Sequence, residues 1–252
     1  MLMQVTQAAR QPRLTLLRPE GRTATPPRTL TVDIGASWIR ALVLDERGVP
    51  VRPPHKQVFL KTPSPAAPGL VLDTIVSLRG HVEPFDRASI GFPGSLYDGI
   101  VVQSTDLGPD WAGYPLALTI EQRLARPVRA ADATDLQGWG AICGKGVEMM
   151  MTLGAHVRAS LFLDGVLVPN IQLGTHRLNA RRFEEDGVHM WGRRLLKTAA
   201  LLKKRYRYDR LYLGGPCARH IRAAVLPPDV SIVASLNTLL GGMALWQGRE
   251  IW

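Results

Sequence analysis

Cysteine is scarce in this chain. Cys143 and Cys217 are the two present among 252 residues, far apart and outside any Cys-x-x-Cys or Cys/His spacing. That argues against a zinc site and a disulfide framework, so no zinc and a reducing, cytoplasmic setting are expected. Long apolar runs are also missing. No stretch is long enough to span a bilayer, the N-terminus lacks the apolar core of a secretion signal, and no membrane partner is expected. Aromatics make up 6% of the chain. They do not interleave with cations along the sequence as a stacking platform, and no base-reading motif occurs, so nucleic acid is a disfavoured partner. Acid is in short supply, with 21 Asp+Glu against 31 Lys+Arg and a formal net charge of +10. The excess favours anionic partners, although an arginine-rich source proteome would give the same number.

The remaining composition is ordinary. Hydrophobic residues at 46% and charged residues at 21% are globular values, and the length suits one sizeable domain or two small lobes. Residues 1–28 mix Pro12, Pro19, Pro26 and Pro27 with Arg10, Arg13, Arg18, Arg22 and Arg28 without sustained period, and read as an unstructured tail. From Leu30 the pattern changes. Leu30, Val32 and Ile34 alternate with polar or small residues up to Gly35, a strand signal. Further strands are expected at 39–44, 49–51, 88–92 and 128–131, a hairpin at Asp98-Gly99, and helices at 70–78, 116–124 and 132–143.

The order then starts over. Strands are expected at 148–153, 160–163, 166–168, 210–213 and 230–233, and helices at 191–206, 217–224 and 239–246. Two successive strand–strand–strand–helix–strand–helix sets predict a duplicated α/β architecture. The lobes would be residues 29–140 and 141–252, with a cleft between them.

The chemistry starts at residues 31–45. In Asp33-Ile-Gly-Ala-Ser37 an acid at a strand end precedes a turn of small residues, aiming a carboxylate and several backbone N–H groups at a cleft. Such N–H groups can cradle phosphate and the carboxylate can hold Mg²⁺. Alone, Asp-x-Gly also fits an ordinary hairpin turn. Near the other end, Leu195, Leu196, Ala199, Ala200 and Leu202 form a core-facing stripe. They leave Arg193, Arg194, Lys197, Lys203, Lys204 and Arg205 largely outward, as a solvated face or as an extension of a polyanion groove.

Several blocks in one order carry a resemblance. They are Ser89-Ile-Gly-Phe-Pro-Gly94, Tyr97-Asp-Gly-Ile-Val-Val102, Asp106-Leu-Gly-Pro-Asp-Trp111, Arg126-Pro-Val-Arg129 with Asp135-Leu-Gln-Gly138, Leu161-Phe-Leu-Asp-Gly165, Leu167-Val-Pro-Asn170, Tyr208-Asp-Arg-Leu-Tyr-Leu-Gly-Gly215 and Gly241-Gly-Met-Ala-Leu-Trp246. Together they resemble the ROK (repressor, open reading frame, kinase) family, and within it the polyphosphate glucokinases. The resemblance implies a two-lobed actin-like, ribonuclease-H-like fold with glucose or a related sugar in the cleft. It also implies polyphosphate or ATP as phosphoryl donor, Mg²⁺ held through Asp33 if the protein is active, and a homodimer as in many members. Phosphate would be bound around Asp33, Gly35, Ser37, Arg40, Gly154, Gly214 and Gly215, and the sugar around Gly94, Asp106, Asp135 and Gln172.

The departures from the family pattern fall on the chemistry. Ala36 and Trp38 stand where the first phosphate loop has glycines, and Arg40 stands for its lysine. In the second phosphate loop Gly154 is kept, while His156 and Arg158 occupy glycine positions. Asp106 stands for a sugar-binding asparagine, Gln172 for a glutamate and Thr175 for a histidine, with His176 one position later. The catalytic base has two registers. Ungapped, Ala133 falls on the base; with a paired deletion and insertion, Asp132 does. The ungapped register needs no indel and is preferred. The readings left open are a kinase homologue with weak, altered or absent activity, an active glucokinase using Asp132, and a sugar- or polyphosphate-responsive regulator.

Overall fold

The computed structural model describes residues 25–104, 106–168 and 176–248. Most of the expected tail and Gln172 lie outside these. Residues 25–28 are exposed coil, tied down where the Arg28 amide donates to Asp86 Oδ2 at 2.8 Å.

The first sheet is built from β1 (Thr29–Ile34), β2 (Trp38–Leu44), β3 (Val58–Lys61), β4 (Arg87–Phe92) and β7 (Val128–Asp132) in the order β3-β2-β1-β4-β7. β1, β2 and β3 form an antiparallel meander, and β4 and β7 add in parallel. A separate hairpin pairs β5 (Gly94–Tyr97) with β6 (Ile100–Ser104), turning at Asp98-Gly99 as expected. The second sheet repeats the first. β8 (Val147–Leu153), β9 (Val157–Leu163) and β10 (Val166–Val168) form the meander, with β11 (Arg210–Gly214) and β12 (Val230–Ile232) parallel beside it.

Alternation along the strands sorts side chains into layers. Leu30, Val32, Ile34, Ile39 and Ala41 pack on α1 (Pro68–Ser77) and α2 (Leu116–Leu124). Met149, Met151 and Leu153 pack on α4 (Ala180–Tyr206) through Trp191, Leu195, Ala199 and Leu202. Between the sheets lie α3 (Ala133–Trp139) and α5 (Leu236–Gly241). Leu136 and Trp139 of α3 meet Met150, Phe162 and Tyr212 of the second sheet. Leu239 of α5 and Met243 beyond it meet Leu42 and Leu44 of the first. The chain's last described segment thus packs back onto its first strands. Ser89 Oγ donates to Gly242 O at 2.7 Å, and Trp246, flanked by Arg87 and Arg129, donates to Ser89 Oγ at 2.8 Å.

Several sequence expectations are corrected. Residues 49–51 make no strand: Pro50 forms an isolated bridge to Leu44, and Pro53 and Pro54 follow with no N–H to offer a ladder. The third strand is instead β3, whose Val58 and Leu60 face the core. Residues 217–224 form no α-helix but two short 3₁₀ turns, Ala218–His220 and Ala223–Val225, because Ile221 and Arg222 are extended. The helix expected at 132–143 stops at Trp139. That expected at 191–206 begins earlier, at Ala180, with Gly187 at φ +70° interrupting it. The one expected at 239–246 is α5 followed by a 3₁₀ turn, Gly242–Trp246.

Candidate active site

Asp33 is the next-to-last residue of β1, and antiparallel pairing puts Arg40 of β2 opposite it. Opposite residues share a face, and the Arg40 guanidinium forms an ion pair with the largely buried Asp33 carboxylate. Burial pushes the Asp33 carboxyl above its usual range, and Arg40 pulls it back. The turn between the strands is tight. The Gly35 amide donates to Trp38 O at 3.0 Å, and a Cβ on Gly35 would lie 2.9 Å from that oxygen. Thr62 closes the loop from the side, its hydroxyl donating to Gly35 O at 2.7 Å and its amide to Ser37 O at 3.0 Å.

Asp132 ends β7 and caps α3. Its Oδ1 accepts from the Thr134 amide at 2.7 Å, leaving Oδ2 to pair with Arg158 of the second sheet. Asp135, three residues on, accepts from Ser160 Oγ. The match is geometric: Arg158 and Ser160 are two apart on β9 and share a face, while Asp132 and Asp135 are the cap and third position of one helical turn. Burial raises the Asp132 carboxyl against the opposing pull of Arg158. Asp135 is pushed up to about 7 by burial first and by the neighbouring Asp132 charge second. A second link between the halves joins His156 Nδ1, the donor, to Asp106 Oδ1 at 2.7 Å.

The remaining candidates are shaped by packing. A Cβ on Gly214 would sit 2.5 Å from Met150 Cε and 2.6 Å from the Gln137 amide. Gly215, at φ +86°, would bring one to 2.5 Å from Leu153 O, and a Cβ on Gly94 would overlap Gln103 O. A Cβ on Gly154 would make only ordinary contacts, the nearest with Pro216 Cδ at 3.5 Å, and the Ala180 amide donates to the Gly154 oxygen at 2.7 Å.

No family model matches the chain. In sequence it is 22% identical over 207 residues to polyphosphate glucokinase of Mycobacterium tuberculosis, covering 75% of this chain and 77% of that protein. The solved structure of the inorganic polyphosphate/ATP-glucomannokinase of Arthrobacter sp. strain KM superposes with a TM-score of 0.77 at 20% identity, over 88% of this chain and all of that one. A ROK family glucokinase from Streptomyces griseus, solved with glucose and AMPPNP, gives 0.64 at 17% identity, over 86% of this chain and 98% of that one. In sequence the chain resembles polyphosphate glucokinase, and in fold it resembles the ROK sugar kinases. Its fold is accordingly the two-lobed actin-like sugar kinase fold.

In this ROK-like frame, three sequence-named acids each face a basic side chain of the same chain: Asp33 with the Arg40 guanidinium, Asp106 with the His156 imidazole, and Asp132 with the Arg158 guanidinium. His156 and Arg158 were legible as basic residues in place of glycines, but their partners were not. Ser160 was missed entirely, though its two-residue spacing from Arg158 on a strand signals a shared face. Of the two base candidates, Asp132 places its carboxylate at the β7–α3 junction, while Ala133 opens the helix with a methyl group. Ser37 is exposed at the loop tip.

Mg²⁺ does not fit Asp33 as it stands, because the carboxylate is already engaged by a guanidinium. Among the described residues no three His, Cys, Asp or Glu side chains converge on a metal position. Likewise, no helix among them is long and apolar enough to cross a membrane.

The raised Asp135 carboxyl predicts a pH effect. The native state holds its proton up to about pH 7, whereas an unfolded chain releases it near 3.8. The unfolded state therefore binds fewer protons between those values, and stability falls as pH rises through that window. For this group the slope reaches at most about 1.4 kcal/mol per pH unit. Asp135→Asn removes it. Urea denaturation from pH 4 to 7 should show the variant gaining on the parent as pH rises; parallel curves would refute the assignment.

Proposed function

We propose that this chain is a ROK-type, sugar-binding homologue of polyphosphate glucokinase whose phosphoryl transfer is strongly weakened. Its lobes would be residues 29–140 and 141–252, its setting the cytoplasm, and its sugar glucose or a close relative. The observation that carries this reading is the cross-cleft pairing of Asp132 with Arg158. A general base must take a proton from the attacking hydroxyl, and a guanidinium on the carboxylate favours its charged form and makes it a poorer acceptor. The same Arg158, with His156, stands where bare backbone would hold the donor's phosphates, so one pair of substitutions weakens both halves of the reaction. Glucose hydroxyls still find acceptors in Asp106 and Asp135.

A second reading has its own support. Asp132 rather than Ala133 presents the carboxylate at the strand–helix junction, and burial raises its proton affinity. Both would serve an active glucokinase that opens the Arg158 pair on binding its substrates.

One coupled assay separates them. Glucose 6-phosphate formation from glucose with polyphosphate or ATP is compared with that of the Mycobacterium tuberculosis enzyme, with glucose binding followed by calorimetry. We expect binding with turnover lower by about 10²-fold or more, the contribution of a general base. Robust turnover abolished by Asp132→Asn would instead establish the active reading.

A further inference from the structure

Trp38 and Phe59 are remote in sequence, and the β2–β3 register brings them together. Trp38 lies opposite Lys61, and Arg40 opposite Phe59. These four side chains share one face of the sheet, while Ile39, Ala41, Val58 and Leu60 turn to the core. Trp38 is 52% exposed and Phe59 51%. Single exposed aromatics need no explanation, but two on one face, alternating with cations, are a different matter. β3 is the outer strand of its sheet. Exposed Lys56 precedes it, and no acidic residue occurs anywhere between Arg47 and Leu72. Arg40 is balanced by Asp33, which leaves Lys56 and Lys61 to set the charge along the edge.

We propose that this face binds single-stranded nucleic acid, two bases stacking on Trp38 and Phe59 while Lys56 and Lys61 meet the phosphates. Sequence order disfavoured such a partner because aromatics and cations do not interleave along the chain; strand pairing interleaves them in space. A ring-free polyanion such as polyphosphate or an acidic peptide would use the lysines and leave both rings idle. Stacking tolerates any sequence because every base has a π-face, and the lysines make affinity fall with salt. The proposal goes beyond the sugar-kinase reading and stands whether or not the cleft turns over glucose.

The test is a titration of the full chain with a short fluorescein-labelled thymidine oligonucleotide, read by anisotropy and by tryptophan emission. Of the six tryptophans Trp111, Trp139 and Trp191 are buried, and quenching that disappears in Trp38→Ala is assigned to that ring. Expected are saturable binding that weakens as salt rises, quenching in the parent, and an affinity loss of about tenfold for Trp38→Ala and again for Phe59→Ala. Lys61→Ala should weaken binding and flatten the salt dependence. Both ring positions are exposed, and circular dichroism would verify that the variants fold. No binding would overturn the proposal, as would binding untouched in the double ring variant. Equally tight competition by polyphosphate or poly-glutamate would assign the face to a ring-free polyanion, and equally tight competition by ATP to a mononucleotide; either result also overturns it.

Discussion

Arg158→Ala is expected to cost this protein about 3 kcal/mol of stability, the low end for breaking a buried ion pair by removing one partner. The side chains of Arg158 and Asp132 are 20% and 14% exposed, so water can do little to replace the guanidinium. Asp132 keeps the Thr134 amide on one oxygen, but its other oxygen faces the cleft with its charge uncompensated. For a chain of this size the loss corresponds to roughly 6–12 °C in melting temperature. Asp132→Asn in the Arg158→Ala background should recover part of it, because the buried charge has gone. A double-mutant cycle by urea denaturation therefore should yield a coupling well above the 0.2–1 kcal/mol of exposed pairs. A loss below about 1 kcal/mol would mean that the pair is solvent-screened and does not hold the cleft.

That pair also marks where the sequence stops being readable. The repeated three-strand-plus-two architecture is largely legible because strands of both meanders show alternation and the second turns at Asp164-Gly165, and the sheets share one strand order. β3 was hidden inside a proline-rich stretch: Val58 and Leu60 alternate with Phe59 and Lys61, but the run is short and its outward aromatic blurs the period. Residues 217–224 were read as a helix following Gly214-Gly215, whereas extended backbone at Ile221 and Arg222 splits them into two short turns. In the candidate site, single residues were visible and pairs were not. An Asp at a strand end and an Arg in place of a glycine can each be named from the chain. That Arg158 and Ser160 meet Asp132 and Asp135 depends on the stagger of β9 against α3, which only packing fixes.

The glycines teach a related lesson. Gly214 and Gly215 were assigned to phosphate by the resemblance, yet Met150 and Gln137 side chains crowd the first, and Leu153 backbone and a positive φ constrain the second. Resemblance and packing thus select the same residue for different reasons, and substitution effects at these positions would report on stability before they reported on binding.

Gly241→Ala is expected to be as damaging as the loss of Arg158, by a different route. α3 and α5 cross with almost no side chain between them. A Cβ on Gly241 would overlap Leu136 O, and one on Gly140 would overlap Asn237 O. Asn237 Nδ2 holds the crossing shut by donating to Gly140 O at 2.5 Å. The obstacle on each side is backbone, which cannot rotate away, so a methyl group must drive the helices apart. Overpacking of this kind costs about 1–3 kcal/mol and sometimes more. The upper end is expected here because both helices are clamped between sheets, through Phe162 on one side and Leu42 on the other. Gly192→Ala is the control. Gly192 lies in α4 with nothing within 4 Å of its would-be Cβ, so alanine should stabilise by about 0.5–1 kcal/mol through helix propensity. Urea denaturation of both variants should therefore move in opposite directions. Since α3 also carries Asp132 and Asp135, displacing it should disturb the acids at its N-terminal end. In Gly241→Ala the pH-dependent part of stability between pH 4 and 7 should shrink along with the total. A Gly241→Ala protein within about 0.5 kcal/mol of the parent would show that the crossing has slack, and would remove the mechanical link from the crossing to the cleft.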